Sequence, residues 1–300
     1  MRRLIAVLPS LILATSCIPI TLASAPKPRE VAGLRVHERA TNSTVAFDEF
    51  VRTVAHADIV FFGEQHDDPE THFAEFALLE GIGRTRRHVI VSLEMFERDV
   101  QPMVDDYLAG RMSEVDFLAK SRPWDRYATD YRPLVVLARA RGWPVIAANV
   151  PRPIASAVGR KGLAALDSLP PASRAYAARN NDCPRDRYYE LFAEQMKGHT
   201  MPDTGMVGRF YAAQCVKDET MAESIVQAYA RAEDGTIIVH FDGSFHSDYA
   251  LGTVARTLAR APRANVLVIT AVPVADPGSA KAAEQAQRAD FVIFTRSPAH

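Results

Sequence analysis

Three hundred residues, 48% of them hydrophobic and 24% charged, are enough for one large globular core and too mixed for a fibrous or extended disordered chain. The 35 basic and 36 acidic side chains leave a formal charge of -1, so the chain offers no basic footprint for nucleic acid. No internal repeat or low-complexity tract is present.

The chain opens with Arg2 and Arg3, an apolar run over 4–13 and small residues to about position 25, the pattern of a signal peptide over 1–24. The run is shorter than the roughly 20 apolar residues that cross a bilayer. Cys17 follows Ala14, Thr15 and Ser16, a lipoprotein box shifted by one residue from its usual leucine. Two outcomes follow: acylation of Cys17, or cleavage near Ala23 with Cys17 discarded. Cys183 and Cys215 then remain in an oxidising compartment, either bonded to each other or as two separately buried thiols.

From there the spacing predicts a single α/β domain over 34–297. Short runs rich in Val, Ile and Phe over 58–63, 88–93, 144–148, 236–241, 265–271 and 291–295 read as buried strands. Helical patterns over 70–80, 100–109, 131–141 and 250–258 alternate with them. Strands that are apolar throughout, alternating with helices, imply a mostly parallel sheet covered on both faces. The stretch 151–232 lacks a strand signal and carries helical patterns at 185–196 and 206–232, so it is expected to form a helical insertion or cap.

Each central strand ends in polar residues. Gly63-Glu64-Gln65-His66 follows the first, Glu94 the second, Asn149 the third and Gly243-Ser244-Phe245-His246 the fourth. Ligands of open parallel sheets bind beyond the strands' carboxyl ends, so these tips are expected to converge. Gly63 and Gly243 are expected to turn the chain sharply off its strand. Glu64, His66, Glu94 and His246 then make a two-histidine, two-carboxylate set suited to a divalent metal with an open position for water, a recipe for hydrolysis.

The phrases Phe62-Gly63-Glu64-Gln65-His66-Asp67-Asp68, Ser92-Leu93-Glu94-Met95-Phe96, Trp124 with Tyr127 and Tyr131-Arg132-Pro133-Leu134, and Gly243-Ser244-Phe245-His246 resemble the ChaN family. So do His199 with Met201-Pro202, and the run from Arg209-Phe210-Tyr211 through Gln214 to Asp218-Glu219-Thr220. These are haem-binding bacterial lipoproteins of the wider Tiki superfamily, which also has erythromycin-esterase-like members. The resemblance runs from about Asp58 to Pro273. It implies an iron-uptake protein of the periplasm or outer membrane, held to the membrane only by a lipid, and working beside an outer-membrane haem receptor. It also implies a homodimer holding haem at its interface through a tyrosine on iron and a histidine near the propionates. The Tiki branch instead implies metal-dependent peptidase or esterase chemistry at the two Gly-x-x-His motifs and a glutamate.

No tyrosine matches the family's iron ligand one to one. Tyr211 beside Arg209 in an amphipathic helix is the first choice, because a phenolate suits ferric iron and a nearby guanidinium favours the ionised form. Tyr188 and Tyr189 come next. His199 in a helix-breaking stretch is placed to meet a propionate, with Met196, Met201 and Met206 as apolar contacts. Trp124, Tyr127 and Tyr131 are expected to form a structural aromatic cluster with Pro133. The absence of Cys-x-x-Cys-His excludes covalent haem attachment, and no nucleotide-binding glycine loop or Gly-x-Ser-x-Gly elbow is present.

Overall fold

The six apolar runs become six parallel strands of one sheet in the computed structural model, which describes Val31, residues 33–197 and residues 205–297. The leader with Cys17, and His199 with Met201, lie outside the described residues. In chain order the strands are β1 (Arg35–Glu38), β2 (Ser43–Val45), β3 (Ile59–Glu64), β4 (Val89–Glu97), β5 (Val145–Asn149), β6 (Ile237–Gly243), β7 (Val266–Val274) and β8 (Phe291–Arg296). Across the sheet they run β2-β1-β8-β7-β3-β6-β4-β5. From β8 to β5 every pairing is parallel, and β1 pairs antiparallel with both β2 and β8.

The hairpin β1–β2 was not expected from the sequence. Arg35-Val36-His37-Glu38 has too few apolar residues to stand out as a run, because only two of its four positions are buried. Its place is set by pairing against β8, which removes a bare sheet edge.

Both faces of the sheet are covered, as the apolar runs implied. Alternate residues of β3 point to opposite sides. Val60 and Phe62 join the larger core with Leu78 and Leu134, whereas Ile59 and Phe61 pack with Ile225 and Val254. Each such buried side chain contributes about 1.5–3 kcal/mol. Between β5 and β6 the described chain is helical: Arg152–Lys161, Pro171–Arg174, Arg187–Gln195 and the long helix Met206–Tyr229. The long helix lies against Arg152–Lys161, against Gly252–Arg260 and against β5.

This strand order brings the relevant tips together. From β3 the chain crosses to β4 and β5, returns to place β6 between β3 and β4, then passes to the other side of β3 to lay down β7 and β8. The ends of β3, β6 and β4 are therefore neighbours at the point where the winding reverses, where open parallel sheets form their ligand crevice.

The expected role of the two strand-end glycines is corrected. Gly243 has φ -59° and ψ 135°, and Gly63 lies within β3 without a positive φ, so neither turns the chain. They are there for close approach. A Cβ on Gly63 would sit 2.8 Å from Ser247 Oγ and 2.9 Å from the Ser244 backbone. Gly63→Ala is expected to destabilise the protein by about 1–3 kcal/mol through overpacking. Gly159→Ala, whose Cβ would meet Ala213 at an ordinary 3.8 Å inside a helix, is expected to be neutral or stabilising. Urea midpoints of the two variants check the contrast.

Candidate functional site

The four expected residues meet at the sheet rim but divide into two pairs. Glu64, 1% exposed at the end of β3, holds His66: its Oε1 lies against His66 Nδ1 and accepts the Tyr131 hydroxyl at 2.7 Å. Glu94, 3% exposed in β4, accepts the Gly243 amide at 2.8 Å through Oε2 and lies 3.3 Å from His246 Nε2 through Oε1. Asp218, from the long helix, takes His246 Nδ1 at 2.6 Å. The pairs touch at Gly243, where an added Cβ would lie 2.8 Å from His66 Nε2 and 3.7 Å from Glu94 Oε2.

The two imidazoles differ in access. His246 is buried, whereas the His66 side chain is 49% exposed with its ring edge-on to Trp124 at 5.0 Å. Burial opposes charge on His246, but Glu94 and Asp218 outweigh it and push its pKa up to about 10. Burial also opposes charge on His66, and the Glu64 carboxylate outweighs it, raising its pKa above the ordinary value. For Glu94, desolvation works against the ionised form, yet the His246 cation holds the carboxyl well below the usual range. Deeper in the sheet, burial keeps His240 neutral, with its pKa lowered to about 3, and drives the Asp242 carboxyl up.

Behind Glu64 is a second cluster that the sequence reading passed over. His72 and Glu75, on the helix Pro69–Thr85, are 5% and 0% exposed. Among the described residues, the group whose ligand atoms all lie within 4.8 Å of one another is Glu64, His72 and Glu75. Burial, followed by the Glu64 charge, pushes the Glu75 carboxyl well up. The signal was available as His-x-x-Glu in the first turns of a helix entered from the β3 tip, a spacing that puts both side chains on one face.

In front of His66 opens a cleft in two connected parts of about 760 and 560 Å³, which share Glu97, Trp124, Arg152 and Ser156. Its apolar walls include Trp124, Phe192, Phe210 and Ala213, and its cations are Arg122, Arg126, Arg152, Arg160 and Lys217. Arg122 is engaged by Glu97 and Asp99, and Arg126 by Asp130. Arg152, Arg160 and Lys217 make no ion pair among the described residues.

The family model described as "Haem-binding uptake, Tiki superfamily, ChaN" matches residues 50–257. The chain belongs to this family. A solved structure described as cofacial haem binding to ChaN of Campylobacter jejuni shares the fold with a TM-score of 0.64 at 13% identity, covering 88% of this chain and 97% of that one. A structure of the erythromycin esterase EreC in its open conformation aligns with a TM-score of 0.48 at 12% identity, over 88% of this chain and 83% of that one. Among curated proteins, the chloroplastic RETICULATA-RELATED 5 of Arabidopsis thaliana is 24% identical over 239 residues, 72% of this chain. The chain spans 31% of that protein's length.

Within this ChaN-family chain the expected phenolate at Tyr211 is corrected. Tyr211 is 2% exposed, its hydroxyl donates to the Pro184 carbonyl at 2.9 Å, and burial followed by Asp186 pushes the phenol up rather than down. It packs among Tyr188, Tyr189 and Phe192 beside the Cys183–Cys215 disulfide. Tyr188 is equally buried, and Arg209 is half-buried on the same helix as Tyr211. The helix instead presents Phe210, Ala213, Gln214 and Lys217 to the cleft, the i, i+3, i+4, i+7 stripe one position out of phase with Tyr211. Of the expected aromatic cluster, Trp124 and Tyr131 pack edge to face at 5.9 Å and also belong to the site, while Tyr127 packs apart from them against Phe96 and Phe117.

His246→Asn leaves Glu94 and Asp218 buried without their cation and is expected to cost about 3–5 kcal/mol. The sign with pH follows from the raised pKa. The stabilisation by His246 is complete below about pH 6.5, its unfolded value, and is lost as pH rises through about 10. Denaturation of wild type and variant from pH 6 to 10 should therefore show the gap closing with rising pH.

Proposed function

We propose that this protein binds haem in the cleft before His66 and serves haem or iron uptake outside the cytoplasm. The observation that carries the reading is the cleft itself. A porphyrin needs apolar surface for its two faces and cations for its carboxylates, and here Trp124, Phe192 and Phe210 stand beside Arg152, Arg160 and Lys217. Membership of the ChaN family and its haem-binding description support the same ligand.

His66 is the imidazole that opens onto this cleft, and Glu64 fixes its ring by occupying Nδ1. A bound haem would supply iron as the ligated centre. The chain's own part is to hold the macrocycle, neutralise its propionates and present one oriented imidazole. The proposal extends to an exported, Cys17-acylated form, to a homodimer and to delivery from an outer-membrane haem receptor. The family resemblance and the leader sequence are its support.

The hydrolase alternative needs Glu64, His66, Glu94 and His246 to share one ion. His246 with Asp218 on one nitrogen and Glu94 near the other fits a metal-bound histidine as well as a buried ion pair, so a metal analysis of the purified protein beside the haemin titration separates the two readings.

Titration of the mature protein with haemin is expected to give a saturable Soret change. Arg152→Glu, a change at an exposed cleft arginine, is expected to weaken binding at least tenfold, about 1.4 kcal/mol. A titration of the wild type without saturation overturns the proposal.

A further inference from the structure

The pocket behind Glu64 has a feature that side-chain packing alone does not explain. His72 Nε2 lies 3.2 Å from the His66 carbonyl oxygen, which can only accept, so Nε2 carries the proton. The same nitrogen is 3.4 Å from Asp130, itself paired with Arg126. The other nitrogen, Nδ1, faces two carboxylates: Glu75 Oε2 at 2.9 Å and Glu64 Oε2 at 3.9 Å. Glu64 Oε2 and Glu75 Oε1 are buried and accept no hydrogen bond from any described residue. The imidazole nitrogen and the two carboxyl groups thus gather in a space closed to solvent, where either a proton or a cation must lie among them.

We propose that Glu64, His72 and Glu75 form a binding site for one first-row divalent cation, of the zinc or manganese kind, distinct from the rim residues Glu94 and His246. One imidazole nitrogen and two carboxylates are a donor set these ions accept, and the imidazole disfavours calcium and magnesium. Donors sharing an ion at ~2.1 Å lie roughly 3–3.5 Å apart, and the spacings around Nδ1 bracket that range. The surroundings also fit. Metal-bound histidines donate their second N–H to a carboxylate or carbonyl, as His72 does to Asp130 and the His66 carbonyl, and ligating carboxylates are themselves hydrogen-bonded, as Glu64 is by Tyr131. The site shares Glu64 with the His66 pair, while its other two ligands, His72 and Glu75, lie outside the cleft walls, so it is tested without haem.

The test is calorimetric titration of the mature protein, stripped with a chelator, against Zn2+ and Mn2+ separately, with Co2+ absorption as a reporter of nitrogen and oxygen ligation. One saturable site per chain is expected for at least one ion. Glu75→Gln and His72→Asn should abolish it, Asp130→Asn should weaken it by about 10- to 100-fold, and Glu94→Gln should leave it unchanged. Circular dichroism identifies any variant that does not fold, and the wild-type titration is decisive even if all of them fail. Two results overturn the site. One is no saturable binding by the wild type, which would mean that a shared proton joins the two carboxylates. The other is binding lost in Glu94→Gln but kept in His72→Asn, which would move the ion to the rim.

Discussion

The ends of β3 and β6 approach so closely that neither Gly63 nor Gly243 has room for a Cβ atom. The two strands pair in parallel, with Gly63 opposite Asp242 and Glu64 opposite Gly243, so the bare positions are diagonal neighbours. Across one of them passes the Ser244–Ser247 loop, and over the other lies the His66 ring. The positions of His66 and His246 depend on this contact. With the loop pulled in, His246 falls between Glu94 and Asp218, and with the His66 ring against Gly243 its Nδ1 reaches Glu64.

A second constraint follows from burial. Taking a carboxylate out of water costs several kcal/mol unless donors replace the lost hydration. The rim supplies them from separate parts of the chain: the Gly243 amide and His246 for Glu94, Thr253 and His246 for Asp218, and Tyr131 and His66 for Glu64. Among the described residues these bonds leave one half-open imidazole, His66, at the floor of an arginine-bordered cleft. A site with one accessible oriented group and a wide amphipathic wall is suited to holding a large planar acid.

The parallel sheet was legible because its strands are buried on both faces and so read as unbroken apolar runs, and the meeting of β3, β4 and β6 followed from their polar tips. The hairpin was not legible, since its residues are half-exposed and its place depends on β8. The roles of Asp218 and Tyr131 were not legible, because Asp218 sits mid-helix in a run of polar residues and Tyr131 among aromatic ones, and each role is set by a partner 28 or 67 positions away. Tyr211 misled for the reverse reason. Its sequence neighbour Arg209 suggested a charged environment, but a helix rotates about 100° per residue, and Tyr211 points into an aromatic cluster while Phe210 faces the cleft.

The disulfide between Cys183 and Cys215 closes a loop across a separation of 32 residues, and that loop includes the helix Arg187–Gln195 with Phe192. Such a crosslink removes about 3–4 kcal/mol of chain entropy from the unfolded state. Its second effect is local. Phe192 is part of the cleft wall, and the bond ties its segment to the long helix that carries Phe210 on the same wall. Reduction of the bond leaves that side of the cleft held by packing and by hydrogen bonds such as Tyr211 to the Pro184 carbonyl, so the shape offered to a ligand is coupled to the redox state of the compartment in which the protein resides.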